Sequence, residues 1–220
     1  MEYKRITLLC GHYGSGKTNI ALNMAYELKE SYDNVAIADM DIVKPYFRTT
    51  DSADELKEKG IKLIASEYAG SNVDIPALPQ EMYSLTDDKS VKAVIDVGGD
   101  DRGALALGRI IPQIIEENDY EAFLLINKFR PLTPDVESTL AVMAEIECAG
   151  GFKFTGIINN SNLGVLTTAE DVLGSEEYAL SVAKATGLPL VATTVDERLF
   201  NELSKKIDNL FPLKLQKKIN

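Results

Sequence analysis

Eight residues near the start of the chain, Gly11-His12-Tyr13-Gly14-Ser15-Gly16-Lys17-Thr18, fill the pattern GxxxxGK[ST] at every fixed position. The octet follows an apolar run, Ile6-Thr7-Leu8-Leu9-Cys10, and leads into residues 18–29, where Ile20, Ala21, Met24, Ala25 and Leu28 share one face at helical spacing. Strand, glycine loop and helix in that order suit a polyphosphate. Unpaired N–H donors and the positive end of the helix dipole coincide at a helix N-terminus, and glycines let the backbone approach. In such a loop Gly11, His12, Tyr13, Gly14, Ser15 and Gly16 wrap the phosphates. Lys17 places its ammonium on the β- and γ-phosphates, and Thr18 offers its hydroxyl to the magnesium ion that bridges them.

Of the 220 residues, 45% are apolar and 26% charged, enough for one globular α/β domain over residues 1–220 with a substantial core. The longest apolar runs fall short of the roughly 18 residues of a membrane span. The first residues carry Glu2, Lys4 and Arg5 and lack a signal-peptide core, so a cytoplasmic protein is expected. A net charge of -11 argues against nucleic acid as a partner, because such partners require basic patches.

The only basic concentration is Lys205, Lys206, Lys214, Lys217 and Lys218, interleaved with Leu203, Ile207, Leu210, Phe211 and Leu213. An amphipathic membrane foot is one reading, but Pro212 interrupts it, and a terminal helix packed on the core is expected instead. Cys10 and Cys148 read as small buried hydrophobes, the alternative being a thiolate cluster shared across a dimer.

Further along, Val35-Ala36-Ile37-Ala38 reads as a buried strand delivering Asp39-Met40-Asp41 at its C-terminal end, the edge where parallel sheets bind ligands. The two carboxylates are candidates for holding magnesium or orienting a water, with helix capping as the alternative. Residues 42–48 form a loop suited to a switch or a partner surface. Residues 51–59 read as a charged helix, 61–65 as a strand, and 66–89 as irregular. The strand at 91–96 ends in Asp96-Val97-Gly98-Gly99, a Walker B pattern whose carboxylate holds magnesium through water.

A helix over 105–117 precedes a strand over 122–126 that ends in Asn127-Lys128-Phe129-Arg130. The guanine-reading NKxD motif needs a terminal acceptor, and an arginine only donates, so guanine is disfavoured. A helix over 135–149, a strand over 154–158 ending in Asn159-Asn160, a helix over 176–185 and a strand over 188–192 complete the pattern. The predicted fold is α/β: a mostly parallel, doubly wound, seven-stranded sheet with helices on both faces.

The segments GHYGSGKT, ADMD, VIDVGGD and IINN together resemble the ParA/MinD-type P-loop ATPases of the CobQ/CobB/MinD/ParA superfamily, over nearly the whole chain. That resemblance implies ATP and Mg2+ as cofactors, with Lys17 and Thr18 on phosphates and metal. It also implies that Asp41 positions the attacking water and, with Thr18 and Asp96, attends the magnesium ion. Asp39, Gly98 and Gly99 then belong to the switches, and Asn159 reads adenine.

One position departs from the family. The lysine that reaches across a nucleotide-sandwiched homodimer is replaced by His12, so any ATP-dependent dimer is expected to be weak unless Arg48 or Arg102 supplies the cation. The function implied is an ATP-driven switch or assembly factor for a protein partner. The alternative is a small-molecule synthetase like dethiobiotin synthetase, whose lysine-proline pair Lys44-Pro45 echoes.

Overall fold

Short, continuous apolar runs have no polar face to give to water, so strands made from them are buried on both sides. The computed structural model, which describes residues 3–40, 49–65, 80–98, 104–105 and 107–216, meets that demand with one eight-stranded sheet. Its strands are β1 (Ile6–Cys10), β2 (Val35–Asp39), β3 (Lys62–Ala65), β4 (Lys92–Asp96), β5 (Tyr120–Ile126), β6 (Gly156–Asn159), β7 (Leu190–Asp196) and β8 (Leu210–Leu213). They lie in the order β3-β2-β4-β1-β5-β6-β7-β8, and every neighbouring pair is parallel. The order reverses beside β1, so a crevice opens at the carboxyl edge between connections leading in opposite directions.

Side-chain alternation along the strands divides the core into two layers. Leu9, Ile37, Val94, Leu125 and Ile158 pack under helix α1 (Lys17–Ser31) through its Ile20, Met24 and Leu28, with Leu56 of α2 (Ala53–Glu58) alongside. Leu8, Ile95, Leu124 and Ile157 face the other way. They meet Leu85 of α3 (Ser84–Asp87), Ile114 of α4 (Ile111–Glu117), Ile146 of α5 (Val136–Gly150) and Tyr178 of α6 (Ala169–Thr186). Helices thus cover both faces, as parallel strands require.

The last helix pair shows how caps override periodicity. Helix α6 begins at Ala169, well before the predicted start at Glu176, because Thr168 and Asp171 form a reciprocal capping box. After a short helix α7 (Glu197–Leu203), the expected terminal helix does not form. Residues 210–213 instead add β8 to the edge of the sheet, with Phe211 and Leu213 buried and Pro212 exposed. Proline removes a helical hydrogen bond but is tolerated on an edge strand, and the in–out alternation fits a strand. The chain beyond β8 is then tied to α1: Asn23 Oδ1 accepts from Lys214 N and Asn19 Oδ1 from Gln216 N, each at 2.9 Å.

At the amino end of the central strand β1, Arg5 is buried and donates to both carboxylate oxygens of Glu117, to Leu85 O at 2.9 Å and to Val91 O at 3.2 Å. The Arg5 hydrogen bonds hold the Glu117 carboxyl below its usual value. A depressed carboxylate stabilises the fold fully above the unfolded pKa of about 4.3 and loses that contribution as pH falls through the folded value. Glu117→Gln leaves a buried guanidinium without its counter-charge, and urea unfolding at pH 7 is expected to show a loss of about 3 kcal/mol. The variant should also lose less stability than the parent between pH 7 and pH 3.

Candidate phosphate-binding site

Helix α1 starts without a cap. Gly16, its N-cap residue, is in the left-handed region at φ 88°, no side chain caps the end, and no acidic residue occupies the first turn. Its first N–H groups are therefore left for an external acceptor, and the dipole favours a negative one. The loop before it is shaped by clamps on its carbonyl oxygens. Lys17 Nζ donates to Gly11 O at 2.8 Å and to His12 O at 3.3 Å, Arg130 Nε donates to Gly14 O at 2.8 Å, and Asn160 Nδ2 donates to Ser15 O at 2.5 Å.

In a trans peptide the next residue's N–H points opposite to the carbonyl. Holding the carbonyls of Gly11, His12 and Ser15 therefore aims the N–H groups of His12, Tyr13 and Gly16 the other way. Ser15 Oγ is buried near Gly11 and has no hydrogen-bond partner among the described residues, so it too is left to a ligand. A Cβ at Gly16 would lie 2.1 Å from Asn160 Nδ2, which leaves glycine as the only fit.

The acidic residues arrive by register. Asp39 and Asp96 are paired positions on β2 and β4, two residues beyond Ile37 and Val94, so both lie on the α1 face at the carboxyl edge. Thr18 Oγ1 donates to Asp96 Oδ2 at 2.7 Å, Met40 N to Asp96 O at 2.9 Å, and Thr49 N to Asp39 Oδ2 at 3.2 Å. Lys17, Thr18, Asp39 and Asp96 are thus gathered in one place, and Gly98 follows Asp96 directly after the buried Val97.

A hydroxyl against a carboxylate at a phosphate loop fits magnesium, which binds through one or two protein oxygens, waters and phosphates. Among the described residues no group of three or more His, Cys, Asp or Glu could form a cage of its own. Asp41, Gly99, Arg48 and Arg102 lie outside the described residues, as do Lys44 and Pro45. His12, half-buried, places Nδ1 3.3 Å from the backbone O of the exposed Tyr13. Of the two thiols, Cys10 is buried, which pushes its pKa up, while Cys148 is exposed near the end of α5.

The asparagine pair divides its labour by strand parity. Asn159 is fully buried on the α6 side: its amide donates to Ser175 Oγ at 2.9 Å and Glu176 Oε1 at 3.1 Å, and Oδ1 accepts from Ser161 N and Oγ. The base-reading role expected of Asn159 therefore meets an amide engaged at both ends. The asparagine that reaches the loop is Asn160, whose Oδ1 accepts from Thr194 Oγ1 at 2.5 Å. Ile158 faces α1, so its second neighbour Asn160 does as well, and that alternation was the signal for it.

Beside Asn160, the residues Asn162, Thr194, Asp196, Leu213 and Leu215 line a cleft with polar and apolar walls. The NKxR run does not enter this cleft. Asn127 Oδ1 accepts from Phe129 N and Thr133 Oγ1 donates to Asn127 O, folding a tight turn that directs Arg130 onto the loop.

Comparison with known proteins agrees with this architecture. The family model for Zeta toxin matches residues 1–73, less than half of the chain, while no curated protein matches. Among solved structures, the cell division protein FtsY of Thermotoga maritima is similar at 19% identity and a TM-score of 0.61, covering 87% of this chain and 62% of that one. FtsY of Mycoplasma mycoides is similar at 20% identity and a TM-score of 0.57, over 89% and 61%. Signal recognition particle 54 kDa protein of Aeropyrum pernix, solved with GDP, is similar at 16% identity and a TM-score of 0.55, over 87% and 41%. This chain therefore spans about three fifths or less of these neighbours. At these identities the shared property is the fold, and the chain has the P-loop NTPase fold.

If the Thr194–Asn160–Ser15 relay holds the loop in shape, Asn160→Ala leaves Ser15 O and Thr194 Oγ1 without their partner. Unfolding should become easier by about 1–3 kcal/mol, and pyrophosphate should bind more weakly to the folded protein, measured by calorimetry.

Proposed function

We propose that this protein is a magnesium-dependent ATPase of the ParA/MinD-like kind, a nucleotide-dependent switch or assembly factor acting on a protein partner. The observation that carries the reading is the hydrogen bond from Thr18 to Asp96 at the foot of an uncapped helix, with Asp39 in register beside it. In this reading the loop N–H groups and Lys17 hold the phosphates, and Thr18 with Asp96 holds magnesium, which when bound neutralises phosphate charge. Asp39, Gly98 and Gly99 belong to the segments that respond to the γ-phosphate, and Asp41 orients the attacking water.

Adenine is favoured over guanine because neither strand-end asparagine run offers the NKxD carboxylate: β5 is followed by Asn127-Lys128-Phe129-Arg130 and β6 by Asn160-Ser161-Asn162-Leu163. FtsY and the signal recognition particle protein share the fold, and one of them was solved with GDP, so base choice is the point to test directly.

Titration of a fluorescent ATP analogue with magnesium is expected to show binding by the parent and none by Lys17→Ala. Unlabelled ATP should displace the analogue far better than GTP, and equal displacement would overturn the adenine assignment.

For the chemical step, Asp41→Ala is expected to keep ATP affinity while turnover falls by about 10²–10⁴-fold, the range for a lost general base. Unchanged turnover, measured as phosphate release, would favour the synthetase reading instead.

A further inference from the structure

Position 12 carries no fixed charge, and the chain as a whole has a net charge of -11, yet one guanidinium lies directly on the phosphate loop. Arg130 is half-buried. Its Nε donates to Gly14 O, and a Cβ built on Gly14, whose φ is 78°, would meet Nε at 3.3 Å and both Cδ and Cζ at 3.5 Å. The head therefore packs against the Gly14 backbone, whose positive φ favours glycine.

The base of the side chain is equally fixed. Arg130 N donates to Asn127 O and Thr133 N to Arg130 O, each at 3.1 Å, and Asn127 Oδ1 and Thr133 Oγ1 close the same turn. Among the described residues, Nη1 and Nη2 have no hydrogen-bond partner and no carboxylate pairs with the charge. Partial burial of an unpaired cation costs free energy, and an anion in the adjacent loop offsets that cost.

We infer that Arg130 is a positioning residue for polyphosphate binding, a second cation supplied in cis. It holds the Gly14 carbonyl toward the protein and brings positive charge to the loop from the β5 connection. This inference rests on the P-loop reading of the site and goes beyond it. A cation for the polyphosphate then comes from the same chain as the loop.

The test compares Arg130→Met, which keeps the apolar stem over Gly14, with Arg130→Lys, which keeps a charged donor. Calorimetric titration with pyrophosphate and with Mg-ATP is done at a temperature where denaturation curves show all three proteins folded, and at dilutions where sedimentation shows a monomer. The methionine variant is expected to bind both ligands about 10–100-fold more weakly, the range for losing a hydrogen bond to a charged group. The lysine variant should recover most of that loss.

A methionine variant equal to the parent, or a lysine variant as weak as the methionine one, would overturn the inference, because packing alone would then be the role of this residue. A parent that binds pyrophosphate but not ATP would sink the ATPase reading and leave the inference standing. A parent that binds neither would sink both.

Discussion

A loop that wraps a ligand with its N–H groups must turn its carbonyl oxygens toward the protein, and those oxygens need donors where water is excluded. That requirement organises the site. Lys17 comes from the helix the loop introduces, Arg130 from the turn after β5, and Asn160 from the end of β6. The loop conformation is therefore a property of the whole right-hand half of the sheet, because β5 and β6 must be in register with β1 before their side chains reach it. The acidic side obeys a similar rule from the left. Pairing of β2 with β4 sets Asp39 beside Asp96, a placement of like charges that costs free energy without a nearby cation or donor. Thr18 and the Thr49 amide supply two of those donors.

Much of this was legible in the residues alone. The loop was legible because its spacing is fixed by chemistry: the pattern demands Gly16 and Lys17 and a hydroxyl at Thr18. Strands β1 to β7 were legible because runs such as Val94-Ile95 and Leu124-Leu125-Ile126 are apolar without a polar face. What remained hidden depended on relations between elements. Asn159 and Asn160 have the same chemistry, and only the parity of β6 against a known α1 face separates them. Arg130 read as a failed guanine motif because its target, Gly14 O, is over a hundred residues away in sequence. The eighth strand was missed because its four residues were weighed as part of a longer amphipathic stretch, although Pro212 already argued against a helix.

The tether between α1 and the end of the sheet bears on how the protein is made. Asn19 and Asn23 stand one turn apart on the helix that carries the loop, and their partners lie 197 and 191 residues later in the chain. During synthesis α1 emerges well before residues 214 and 216, and the bonds on this flank close only once those residues are out. Contacts of such sequence separation form late, since the loop entropy must be met before they contribute. A nascent chain therefore displays its phosphate loop long before the loop's helix is fully braced.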